Sequence, residues 1–153
     1  TRVIFTLPNA DTDGREIFDL INKYVAGNDH AIAFASLGQL RYLSCIKHVD
    51  VVVGNSSSGL LEVPSFQKAT INIGDRQRGR IKAESVIDCE PDKDSISCAL
   101  DLAYSSDFQE SLKKVVNPFG SGGASVSIVK KIEETDLSNL LKKSFYDLPH
   151  SGN

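Results

Sequence analysis

Methionine and tryptophan are absent from the 153 residues, and cysteine is scarce at three. Cys45, Cys89 and Cys98 are odd in number and form no C-x-x-C pair. That pattern argues against a disulfide framework or a zinc site and fits buried thiols in a reducing compartment, so a cytoplasmic location is expected. Long apolar runs are missing too. None approaches the roughly 20 residues of a membrane span, and the N-terminus lacks a basic-then-apolar signal pattern, so no membrane partner is expected. Nor is positive charge in excess. A net charge of −3 speaks against a general polyanion binder, because non-specific nucleic-acid affinity comes mainly from clustered Lys and Arg. Any phosphate binding must be local. His30, His48 and His150 are scattered without ligand spacing or a nucleophile partner, so neither a metal site nor a triad is expected.

What is present is enough apolar material, 41% of residues, for one well-buried core but not for two. One domain is expected over residues 1–148, followed by a disordered tail over 149–153. The chain enters a strand-like RVIFT at once from Thr1, which reads as a piece of a longer protein. Val3–Leu7 predicts a strand, and Ile17, Leu20, Ile21, Tyr24 and Val25 recur at helical spacing until Gly27 and Asn28. AIAFAS from Ala31, VVVG from Val51, TINI from Thr70 and SVIDC from Ser85 predict four more strands. Helices are expected from Gln39, over Gly59–Phe66 with Pro64 near its end or kinking it, over Lys93–Ala103, along DFQESLKKVV, and along ASVSIVKKIEETDLSNLLKKSF. Continuous apolar strands alternating with amphipathic helices imply a doubly wound α/β domain with a parallel sheet.

In such a sheet, ligands sit at the carboxyl ends of the strands, in the loops that lead into helices. Four loops stand out: PNADTDG, SLGQL, GNSSSG and GDRQRGR. GNSSSG offers backbone N–H groups at a helix start and three serine hydroxyls, which suits a diphosphate through Ser56 and Ser57; a plain cap and turn is the competing reading. Glu62 can accept hydrogen bonds from vicinal ribose hydroxyls, or reach back to a free N–H of its own helix. Of Arg76, Arg78 and Arg80, one or two can face an anion with a guanidinium fork, while the rest are solvated or paired with Asp75 and Glu84. Asn9, Asp11 and Asp13 can contact a ligand or coordinate a cation, though such a cluster is more often a capping turn. SLGQL, with no titratable group, suits a loop that reads a base through its backbone. No complete set of acid, base and nucleophile is present.

GNSSSGLLEVPSF followed by TINIGDRQRGRIKAESVIDC closely resembles the hydrolysing UDP-N-acetylglucosamine 2-epimerases of sialic-acid and related sugar biosynthesis. LPNAD, SLGQLRYLSCIKHVDVVVGN, NPFGSGGAS and KKSFYDL extend the resemblance over essentially the whole chain. It implies two Rossmann-like halves facing each other across a cleft, the GT-B architecture of nucleotide-sugar glycosyltransferases, with this chain as the C-terminal half. It implies that Ser56 and Ser57 hold the diphosphate of UDP, that Glu62 holds the ribose hydroxyls, and that Arg76 lies in the same pocket. Asn9 is implied as a pocket contact and Leu37 as a backbone contact to uracil. The implied partners are UDP or UDP-N-acetylglucosamine and the N-terminal half of the same enzyme, with a homodimer of the full-length parent left open and no cofactor called for. The family's overall reaction releases UDP and N-acetylmannosamine by anti elimination to a glycal and addition of water with inversion at C2. The acid and base groups come largely from the N-terminal half, so this chain alone is expected to be inactive. Mammalian relatives carry a feedback site for CMP-sialic acid near the positions of Ala35 and Ser36; here these residues replace basic ones, and that site is not expected. Two rivals are the donor-binding domain of a GT-B glycosyltransferase and a non-catalytic nucleotide-sensing module.

Overall fold

The computed structural model describes residues 1–7 and 14–138. Asn9, the KKSFYDL match and the tail over 149–153 lie outside the described residues. β1 (Val3–Thr6), α1 (Gly14–Ala26), β2 (Ala31–Phe34), α2 (Gly38–His48) and β3 (Val51–Gly54) follow the periodicities that predict them. β4 (Ala69–Ile73), β5 (Val86–Cys89), α4 (Lys93–Tyr104) and α5 (Ser106–Leu112) do the same, after a single-turn α3 (Ser58–Leu61). Local capping sets several boundaries. Asp92 accepts hydrogen bonds from the Ser95 N–H at 2.8 Å and the Ser95 hydroxyl at 2.7 Å, starting α4. Ser105 does the same for α5 by accepting from the Phe108 N–H.

Every strand pairing is parallel, so the chain is an α/β protein, but the strands form two sheets rather than the one continuous sheet expected. β1 pairs with β2 in the register Val3↔Ala31 to Thr6↔Phe34, and β3-β4-β5 form the second sheet. Ile4, Phe5 and Thr6 on one side and Val51, Val52 and Val53 on the other line a cavity of about 210 Å³. With side chains and empty space between them, β1 and β3 do not share a hydrogen-bond ladder. The core lies under the second sheet, where Ala69 and Ile71 of β4 pack with Ala99 and Ala103 of α4, Leu112 of α5 and Val115.

Two helices are shorter than their apolar patterns predict. The one expected over Gly59–Phe66 ends at Leu61 and gives way to a 3-10 turn at Val63–Phe66. Pro64 has no N–H to continue the α-helical ladder, and Gln67 stops the turn in a left-handed conformation at φ 53°. The long final helix is α6, Ala124–Glu133. Shortly beyond it the Asp136 carboxylate accepts from the Ser138 N–H and hydroxyl, a local turn that competes with helical bonding. The chain divides into two compact units, Thr1–Gly120 and Ser121–Asn153, and α6 belongs to the second.

Candidate functional site

The loop after β3 is built by two glycines with different jobs. Gly54 closes the strand at φ 151°, a conformation that L side chains rarely adopt. Gly59, inside α3, lies so close to β4 that a Cβ there would come within 2.6 Å of the Thr70 methyl carbon. Thr70 in turn donates its hydroxyl to the Gly59 carbonyl at 2.9 Å. The second glycine of GNSSSG therefore serves helix-to-strand packing, not ligand approach. Between the two glycines, the Ser56 hydroxyl accepts from the Ser58 N–H at 3.3 Å, and Ser57 occupies the position before α3 with its side chain making no cap bond. The N–H groups of Ser56 and Ser57 donate to no other described residue. Because α3 has one turn, its dipole is small, and any anion here would be held by these donors and hydroxyls instead.

Glu62, half-buried as a residue, ends α3, and its carboxylate is bonded to none of the described residues. It does not reach back to cap its helix. Leu37 lies just before α2 and lines the 210 Å³ cavity together with Ser56 and Tyr42. Tyr42 bonds Ser58 hydroxyl to hydroxyl at 2.5 Å. Burial and the nearby Glu62 charge push its phenol up, against the opposing effect of the Ser58 bond. Leu37, Ser56 and Glu62 thus gather around one tyrosine that the motif reading had passed over.

Arg76 is exposed and lines neither this cavity nor the groove described next. Among the described residues none of Arg76, Arg78 and Arg80 forms an ion pair, so pairing with Asp75 and Glu84 is not seen. Gln77 between them is buried and donates to the Asn55 carbonyl at 2.7 Å, which ties the arginine loop to the serine loop. Asn117 of the NPFG turn donates to the Leu61 carbonyl at 2.8 Å and the Ser65 hydroxyl at 2.7 Å, fixing the backbone on both sides of Glu62. A wider groove of about 600 Å³ runs past Arg78, Lys82, Asp88 and Cys98. Of the residues singled out as anion contacts it contains only Arg78, and Lys82 is neutralised there by Asp88 at 2.6 Å. It is the poorer anion site despite its size.

Residues 1–133 match the family model described as UDP-N-acetylglucosamine 2-epimerase. This chain belongs to that family. It is 38% identical over 147 residues to the polysialic acid biosynthesis protein P7 of Escherichia coli, covering 95% of this chain and 37% of that protein. It is 38% identical over 148 residues to the GDP/UDP-N,N'-diacetylbacillosamine 2-epimerase (hydrolyzing) of Campylobacter jejuni, covering 95% and 38%. The UDP-N,N'-diacetylbacillosamine 2-epimerase (hydrolyzing) of Legionella pneumophila is 32% identical over 143 residues, covering 93% and 37%. The chain therefore spans a little over a third of the length of these epimerase-family relatives. Among the described residues no helix is long and apolar enough to cross a membrane.

Proposed function

We propose that this chain is the UDP-binding C-terminal domain of a hydrolysing UDP-N-acetylglucosamine 2-epimerase of GT-B architecture, working in the cytoplasm in sialic-acid or related sugar biosynthesis. The diphosphate is held by the free N–H groups and hydroxyls of Ser56 and Ser57, with Arg76 closing on it from the loop that Gln77 anchors. Glu62 takes the ribose hydroxyls, Leu37 reads uracil through its backbone, and Asn9 adds a further contact. The observation that carries this reading is the placement of Leu37 and Ser56 on one cavity, with Glu62 close enough to Tyr42 to raise its pKa.

This half binds and orients; the proton transfers at the sugar, at C2 and at the departing diphosphate oxygen, fall to groups of the other half. The pure chain should bind UDP in a calorimetric titration and release no UDP from UDP-N-acetylglucosamine. Binding lost on Ser57→Ala together with Glu62→Gln supports the site, whereas UDP binding that ignores both substitutions sinks it. A second sugar is raised by the names of the Campylobacter and Legionella relatives, which specify diacetylbacillosamine. Product analysis of a full-length enzyme discriminates: N-acetylmannosamine with UDP supports the first reading, the corresponding diacetylated product the second, and a glycoside on an acceptor a glycosyltransferase instead.

A further inference from the structure

Between residues 1–50 and residues 51–138 there is one hydrogen bond among the described residues, between the Tyr42 and Ser58 hydroxyls. Among the described residues no strand pairing or ion pair crosses that boundary. Leu37, at the head of the helix that carries Tyr42, lies on one side. Ser56, Ser57 and Glu62 lie on the other, along with Ser58. The separation between the base-reading loop and the diphosphate-reading loop is thus set by this contact and by side-chain packing, not by a continuous sheet. Tyr42 is half-buried on the cavity wall.

We infer that the Tyr42–Ser58 hydrogen bond is a spacer that fixes the distance between the uracil and diphosphate subsites, making Tyr42 a positioning residue for UDP. The inference rests on the proposed UDP site. Its logic is that of linked ligands. Pyrophosphate occupies the serine loop alone and is indifferent to the spacing. Uridine and UDP both span the boundary, with the base at Leu37 and the ribose at Glu62, and their second contact gains from effective concentration only when the two sides are held at the right separation. Removing the bond therefore affects the two spanning ligands selectively, whereas a residue that merely stabilises the fold would affect all three ligands alike or none.

The experiment is calorimetric titration of the chain, Tyr42→Phe, Ser58→Ala and the double variant with UDP, uridine and pyrophosphate. Tyr42→Phe is expected to weaken UDP and uridine about 5- to 10-fold, the range of one net hydrogen bond, and to leave pyrophosphate within about twofold of the parent. Ser58→Ala breaks the same bond from the other end and should match it. The double variant should lose little more than either single one, because the interaction is shared. UDP affinity unchanged in both single variants, or equal losses for all three ligands, overturns the spacer while leaving the UDP site in place. Failure of the parent to bind UDP overturns the site and the spacer together.

Discussion

Glu62, a half-buried residue, ends one helical turn and begins another, and its carboxylate bonds to none of the described residues. If it accepts the ribose hydroxyls, Glu62→Gln replaces an acceptor by a donor and should cost about 1 to 3 kcal/mol of UDP affinity. Pyrophosphate, which has no ribose, should bind the variant like the parent. Matched losses for both ligands would remove Glu62 from the site. Asp88 is a residue of a different kind. Burial raises its pKa, but hydrogen bonds from Lys82 and Asn72 and the Lys82 charge outweigh that and leave its carboxyl below the usual range. A lowered folded pKa contributes stability above the unfolded value of about 3.9 and loses it as pH falls through the folded one. With the Asp88 side chain 54% exposed, the contribution should stay below about 1 kcal/mol after screening. Thermal melts of Asp88→Asn should therefore fall slightly under the parent at neutral pH and coincide with it in acid. The serines and Glu62 stand out in the sequence as candidates because the chemistry proposed for them resides in residue type and spacing. Tyr42, Gln77 and Asn117 were not, because their partners lie 16, 22 and 56 residues away and only the fold brings them together.

At the scale of elements, the handover from β3 through α3 to β4 is tightly packed. Gly59, Thr70 and Leu60 are buried there, and the Thr70 methyl occupies the space a side chain at position 59 would need. Gly59→Ala should cost about 1 to 3 kcal/mol in denaturant unfolding, as overpacked cores do. Thr70→Ser keeps the hydroxyl that bonds the Gly59 carbonyl and deletes the offending methyl, so it should recover part of that loss. A double variant no more stable than Gly59→Ala alone would mean the backbone, not the methyl, bears the strain. Strands and most helices were readable from apolar period. The early stop of α3 was half-readable, since Pro64 announced a kink but not that only one helical turn would precede it.

Across the whole molecule, the parallel α/β class was legible, whereas the division of the strands into two sheets was not. Runs such as VIFT and VVVG identify a buried strand but do not say which edge meets which. The division leaves the two parts unequal in packing. β4 has four fully buried residues in succession, whereas β1, β2 and α1 have none, and Leu20 on the apolar stripe of α1 is 67% exposed. Native-state hydrogen exchange should accordingly release the amides of Ile4 and Ile32 well before those of Thr70 and Ile71. Simultaneous exchange of all four would indicate a single cooperative sheet.

A pair of strands bonded only to each other is marginal in water, so the β1–β2 ladder should open and close while β3–β5 stays folded. Each opening dismantles the framework that holds Leu37 and leaves the serine loop intact. Uracil would then be recognised only by the closed fraction of molecules, and the measured dissociation constant for UDP would be the intrinsic one divided by that fraction. Low urea, below the main unfolding transition, should therefore weaken UDP more than pyrophosphate: the chain would lose its ability to tell a nucleotide from a bare diphosphate before it loses its fold.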